Sequence, residues 1–448
     1  MSLNLDTVVE RFCEKFEASG NLSEKAGAYI PGGYSRSSLT FGPHAIFVER
    51  GEGAYIQTIE GHQLLDLHNC FSCNILGHNH PAVTEAITEF APNGFCFGNP
   101  MEHEHKLAKI LCERIESVEK VIFSCSGSEA CLSAIRIARA NTGKNKIAKF
   151  EGGYHGLGDE FLLSLHPDPA LLAGPADRPL PVANSAGIPN YTAANVIVLP
   201  QNDLESCERI LTENASDTAG VIMELQTGAG GVIDFDPDFV HGLRDVTQKL
   251  GILLIVDEVI TLRAAFNGMQ SLFGILPDLT VMGKIIGGGL PLGAVGGQEK
   301  YFRMHDEHLI YHSGTNHGHP LSTIAGIACM ETMNKKAYKK LNDFGSRIKT
   351  ELNEWADEKQ YPFFVNGTGS HLGYEITDEP NRKYKSCRDM MTFSNEDNMQ
   401  IFAFEMANQG IFPMYRGQIA LSMSMSKKDI DSFINTSKEI LDALYGNS

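Results

Sequence analysis

Val121-Ile122-Phe123-Ser124-Cys125-Ser126-Gly127-Ser128-Glu129-Ala130 is the stretch from which the fold can be read. Its β-branched and aromatic start reads as a strand, and the segment from Glu129 to Arg139 reads as a helix. Lys146-Ile147-Ala148-Lys149-Phe150 then reads as the next strand. The same alternation returns with a strand at Ala219 to Glu224, a helix at Asp236 to Leu250 and a strand at Ile252 to Asp257. Strands alternating with helices predict an α/β fold with a mostly parallel sheet covered by helices on both faces. Ligands of such sheets lie beyond the carboxyl ends of the strands, where Glu224 and Asp257 fall.

Working outward, residues 61–325 form the expected large domain, and residues 1–60 and 326–448 contribute to a smaller one. The first part holds an amphipathic helix, a break at Pro31-Gly32-Gly33 and a hairpin through Gly51-Glu52-Gly53. The last part turns to helices with scattered strands and ends in a helix from Lys427 to Tyr445. A chain of 448 residues is too long for one compact core, which agrees with this division.

The formal net charge of -18 argues against nucleic acid or an anionic membrane as a partner, because either would be repelled. With 42% hydrophobic and 21% charged residues, and no membrane-length apolar run or basic leader, the chain reads as cytoplasmic. Ten cysteines are too few for a disulfide framework and read as reduced. Cys70-Phe71-Ser72-Cys73 has redox or zinc spacing, but no second such pair accompanies it, so no metal is expected. Loop and capping roles are expected for the pairs His78/His80, His103/His105 and His317/His319.

Lys284 lies in Met282-Gly283-Lys284-Ile285-Ile286-Gly287-Gly288-Gly289, downstream of Asp257. A lysine among glycines leaves room for a flat molecule to approach its amine, and an aspartate closing a buried strand offers a fixed negative charge at the sheet edge. Pyridoxal 5'-phosphate needs both: a lysine that holds its aldehyde as a Schiff base, and a carboxylate that keeps its ring nitrogen protonated. Alone, the lysine also reads as an ordinary turn.

Other segments add to this constellation. Gly127 and Ser128 sit between a strand and a helix, where backbone amides and the helix dipole suit a phosphate; an ordinary serine cap is the alternative. In Gly152-Gly153-Tyr154-His155-Gly156 the glycines let Tyr154 reach a bound ring and stack on it, though such a loop also occurs as plain surface structure. Thr315, in His312-Ser313-Gly314-Thr315-Asn316, offers a hydroxyl for the phosphate.

Together with Tyr29-Ile30-Pro31-Gly32-Gly33, Leu76-Gly77-His78-Asn79-His80-Pro81, Asp257-Glu258-Val259 and Pro277-Asp278-Leu279-Thr280-Val281-Met282-Gly283-Lys284, these segments resemble the class III, or ω-type, aminotransferases. That family has the pyridoxal-phosphate fold type I and includes glutamate-1-semialdehyde aminomutase and the β-amino-acid transaminases. The resemblance implies a large domain with a seven-stranded type of sheet and a smaller α+β domain. It also implies Lys284 as the Schiff-base lysine, Asp257 as the pyridine partner, Gly127 and Ser128 as the phosphate cup, Tyr154 and Val259 on the two ring faces, and Glu224 at the cofactor. Thr315 would serve the neighbouring subunit's phosphate, which implies a homodimer with a shared active site.

Where the aminomutase carries a carboxylate-binding arginine, this chain has Leu39; it has Arg36 instead, in the manner of the β-amino-acid transaminases, and Tyr415-Arg416-Gly417 resembles their second arginine. Paired guanidinium groups bind carboxylates bidentately. The expected activity is transfer of an amino group from an amino acid, in particular a β-amino acid, to an α-keto acid. The alternatives are the aminomutase, another class III enzyme such as a racemase, and a binding protein that keeps the fold without turnover.

Overall fold

The computed structural model describes residues 3–39, 42–166, 174–414 and 416–446. A hairpin of β1 (Val48–Glu52) and β2 (Tyr55–Thr58) continues into β3 (Gln63–Asp66), so the hairpin expected at Gly51 to Gly53 is present. Seven strands build the largest sheet: β4 (Lys120–Ser124), β5 (Lys146–Phe150), β6 (Val196–Leu199), β7 (Thr218–Met223), β8 (Leu253–Asp257), β9 (Leu279–Gly283) and β10 (Gly293–Gly297). Their order is β4-β10-β9-β8-β7-β5-β6, and only β10 runs antiparallel to its neighbours.

Two-residue alternation explains how the sheet is covered on both faces. Along β8, Leu254 and Val256 join Val221 and Met223 of β7 against Phe239, Val240 and Leu243 of the helix Pro237–Leu250. Leu253 and Ile255 point the other way. With Ile222 of β7 and Val281 of β9 they meet Ala130, Ala134, Ile135 and Ala138 of the helix Gly127–Thr142. The central strands β7, β8 and β9 are buried along their whole length, which suits their largely apolar sequences.

A three-stranded sheet follows, with β11 (Phe363–Thr368) and β12 (His371–Ile376) antiparallel and β14 (Gln418–Ala420) beside β12. The short β13 (Ile411–Phe412) returns to the N-terminal sheet, where it pairs in parallel with Leu65 and Asp66. The last helix, Lys427–Tyr445, starts in a capping box formed by Ser426 and Asp429.

The expected helix at Asp236 to Leu250 begins one residue later, with the Asp236 side chain accepting the amides of Asp238 and Phe239. The N-terminal region holds two helices, Leu5–Lys15 and Glu17–Gly27, where one was expected. His103 and His105 correct the loop expectation: both lie within the helix Glu102–Arg114, whose periodic Leu107 and Leu111 are buried. Among the described residues no helix is long and apolar enough to cross a membrane.

Candidate active site

β4, β5, β7, β8 and β9 all point the same way, so their carboxyl ends meet along one edge of the sheet. Gly293 of β10 pairs with both Ser124 and Gly283, which puts the ends of β4 and β9 level with each other. Asp257 closes β8, Glu224 follows β7 and Lys284 follows β9. The three groups lie within electrostatic reach of one another.

Lys284 takes a left-handed backbone, φ 49°, a conformation that costs a non-glycine residue about 1–3 kcal/mol and clusters at functional sites. Its Nζ lies 3.4 Å from Ser72 Oγ. Burial lowers its amine below the ordinary lysine range, opposed by Cys73, Glu224 and Asp257.

Asp257 is buried and fully engaged. Its Oδ2 lies 2.8 Å from His155 Nδ1 and accepts from the Cys131 thiol at 3.4 Å, and its Oδ1 accepts the Val259 amide at 2.9 Å. Burial pushes His155 below the ordinary histidine range, against the pull of Asp257. The sequence points to Tyr154 in this loop and gives no role to His155 or Cys131. No local signal could pair His155 with a carboxylate 102 residues away.

Glu224 spends its oxygens on the loops around the site, accepting the amides of Tyr154 at 3.1 Å and Gly228 at 3.0 Å. Burial and the nearby Asp257 raise its carboxyl to about 8. Tyr154 itself is 38% exposed, with its ring available to a ligand.

The segment Gly127-Ser128 opens a helix whose cap, Ser126, accepts the Glu129 amide. The first-turn amides of a helix have no partner within it. Two close approaches shape this corner: a Cβ on Gly127 would stand 2.9 Å from Val259 Cγ2, and one on Gly156 would meet Ser128 Oγ at 2.3 Å. Val259 therefore fills the floor between Gly127 and the end of β9.

This arrangement fits pyridoxal 5'-phosphate on structural grounds. It offers a strained lysine of lowered basicity, the buried Asp257 for a cationic ring, the Val259 side chain between Gly127 and Gly283, and a helix N-terminus for the phosphate.

The outlying candidates divide. Arg36 stands with its guanidinium 5.5 Å from the Phe71 ring centre and Nη1 3.7 Å from Cys70 Sγ. Burial, joined by Arg36 and Lys284 and opposed by Asp66, brings His68 down to about 4. Arg416 contacts Nε2 of His166, and burial, with Arg416 and Lys149, brings that ring down to about 3; Tyr415 lies outside the described residues. Thr315 sits exposed in a turn, and among the described residues no hydrogen bond joins it to the other candidates.

The sequence matches the class-III aminotransferase family over residues 38–441, and the chain belongs to that family. It is 37% identical over 438 residues to glutamate-1-semialdehyde 2,1-aminomutase 2 of Bacillus pumilus, covering 96% of this chain and 99% of the relative. The fold superposes on an omega-transaminase from Sphaerobacter thermophilus with a TM-score of 0.90 and 32% identity, over 95% of this chain and 98% of the other. A β-phenylalanine aminotransferase from Variovorax paradoxus gives a TM-score of 0.89 at 29% identity, over 99% and 97%. A transaminase with pyridoxal phosphate bound gives 0.87 at 29%, over 96% and 99%. The chain is accordingly a pyridoxal-phosphate-dependent enzyme of fold type I, as the sequence implied.

Proposed function

We propose that this enzyme is a transaminase that takes the amino group of an amino acid, in particular a β-amino acid, and gives it to an α-keto acid. The observation that carries this reading is Arg36, which reaches the Lys284 side of the site beside Phe71 and His68. Arg416 offers a second guanidinium on the side of His166. Two such groups suit substrates that each bring a carboxylate. The likeness to a β-phenylalanine aminotransferase supports the same reading.

In this reading Lys284 would hold the cofactor through its Nζ, and the same amine would take and return the substrate's proton. Bound pyridoxal phosphate supplies an electron sink for the carbon that loses that proton and carries the amino group between the two substrates. Burial keeps the lysine's basicity low enough for it to give up a proton as well as take one. Asp257 would hold the ring nitrogen's proton, and His155 and the Val259 amide orient Asp257. Val259 and Tyr154 would flank the ring, and the amides of Gly127 and Ser128 would hold the phosphate. Glu224 fixes the Tyr154 loop. Thr315 would act from a second copy, in a cytoplasmic homodimer whose active sites are shared.

The name of the Bacillus pumilus relative favours a second reading, isomerisation of glutamate-1-semialdehyde. Leu39, standing where the resembled aminomutases carry an arginine, weighs against it. Turnover of a β-amino acid with 2-oxoglutarate or pyruvate, set beside isomerisation of the semialdehyde without any keto acid, decides between them. Isomerisation alone would overturn the transaminase reading.

A further inference from the structure

Between β3 and the helix Pro81–Phe90 the chain makes a turn of four successive left-handed residues. Asn69, Cys70, Phe71 and Ser72 all have left-handed backbones, with φ of 46, 51, 52 and 70°. An L-residue pays about 1–2 kcal/mol for this conformation, so the surroundings must impose it. Asp66 Oδ1 accepts the amides of His68 and Asn69, both at 2.9 Å. Asn69 Nδ2 donates to the Ala420 carbonyl at 2.6 Å, and Arg263 Nη1 to the Ser72 carbonyl at 2.9 Å.

The turn brings two thiols together. The Cys73 amide donates to the Cys70 carbonyl at 3.3 Å, which closes a four-residue turn. Such turns hold their end Cα atoms within about 7 Å, next to the range a disulfide spans. Both thiols are free, and each lies close enough to shift the other's titration. Their surroundings separate them: Cys70 is exposed beside the Arg36 guanidinium, whereas Cys73 lies deeper, within electrostatic reach of Lys284. The Cys73 thiol, with help from Arg36, brings Cys70 down to about 6 against partial desolvation of its sulfur, while Cys73 is held high by Cys70 and by its own burial. An exposed thiolate beside a protonated partner is the usual form of a reactive and a resolving cysteine.

We propose that Cys70 and Cys73 form a reversible dithiol–disulfide site at the rim of the active site, oxidised by a peroxide or a small disulfide, that alters substrate binding through Arg36 and Ser72. With a peroxide, the Cys70 thiolate attacks one oxygen, the O–O bond breaks, and hydroxide leaves and takes up a proton. Cys73 then attacks the Cys70 sulfur; the S–S bond forms, the S–O bond breaks, and the hydroxyl departs with the Cys73 proton as water. Two thiols lose two electrons and the peroxide becomes two waters. A reducing dithiol reverses the change by exchange. Closing the bridge draws Cys70 Sγ away from Arg36 and moves Phe71 and Ser72, which lie between the two cysteines. That the change is felt at a donor's carboxylate rests on the transaminase reading of Arg36.

The test equilibrates the holoenzyme in glutathione buffers of graded potential, traps free thiols and maps cysteine peptides by mass spectrometry. KM is then measured for a β-amino acid and for an amine donor without a carboxylate. The expected result is a Cys70–Cys73 disulfide removed by dithiothreitol, accompanied by a several-fold rise in KM for the amino acid and little change for the amine. Cys73→Ser should accumulate glutathione on Cys70, and Cys70→Ser should leave Cys73 reduced. An equal rise for both donors supports the switch and removes Arg36 from carboxylate binding. Failure of the bridge to form, or its formation with both KM values unchanged, overturns the proposal.

Discussion

His155 Nδ1 stands 2.8 Å from Asp257 Oδ2, with both side chains buried. The imidazole fixes which way the carboxylate faces, and the Val259 amide fixes its other oxygen. His155→Phe removes a charge-assisted hydrogen bond worth about 1.5–3 kcal/mol and leaves the carboxylate short of a partner. In rate this is roughly a factor of 10 to 100. Steady-state kinetics at saturating cofactor should show the loss mainly in kcat.

Lys284→Ala should retain cofactor without covalent attachment and give no multiple turnover, read by borohydride trapping and by product accumulation. The left-handed backbone at this position adds a second expectation. Lys284→Gly relieves the strain that alanine keeps, so its cofactor-free form should be more stable than that of Lys284→Ala by roughly 0.5–1 kcal/mol. Urea unfolding of the two variants measures the difference.

Gly127→Ala would be harmless or mildly favourable in an ordinary first helical turn. Here the added methyl meets Val259 at 2.9 Å, so cofactor affinity should fall. Val259→Ala in the same chain should recover part of the loss, an interaction that a double-mutant cycle on cofactor dissociation constants reads directly.

Glu224 has a folded-state carboxyl raised to about 8, above its unfolded value. The folded chain therefore holds this proton where the unfolded chain has released it. The stability contributed is complete below the ordinary carboxyl range and is lost as pH rises toward 8. Cofactor-free protein should show this fall in its unfolding midpoint, and Glu224→Gln should flatten it.

Arg36 is exposed in the unliganded chain, and Arg36→Ala should weaken carboxylate-bearing donors by about 1.5–3 kcal/mol, the usual worth of hydrogen bonds to a charged group. Amine donors without a carboxylate should be spared. Equal effects on both donor types, measured as kcat/KM, would return Arg36 to a structural role beside Phe71.

The strands legible in the sequence were those with apolar runs along both faces, such as Leu253 to Asp257, where burial and local propensity agree. β10 was not legible, because Gly293-Ala294-Val295-Gly296-Gly297 carries too little side chain to show a pattern. Lys284 and Asp257 could be read because each is marked locally, by glycines and by a strand end. The contact of His155 with Asp257 could not, since sheet order alone brings them together. The left-handed turn at Asn69 to Ser72 contradicts local preference, and its causes lie in Asp66, Arg263 and Ala420.

The pairing of β3 with β13 sets a timetable for the molecule as it is made. Asn69 waits for the Ala420 carbonyl, 351 residues further on, and Leu65 waits for Ile411. At about 5–20 residues per second, the N-terminal hairpin leaves the ribosome tens of seconds before its edge partner exists. Through that interval β3 presents an unpaired edge bearing Leu64 and Leu65, the kind of surface that chaperones hold and that recruits a wrong neighbour if left bare. A nascent chain stalled before residue 411 should thus be far more prone to aggregate than its length suggests, and the active-site turn at Asn69 is completed only when synthesis is nearly over.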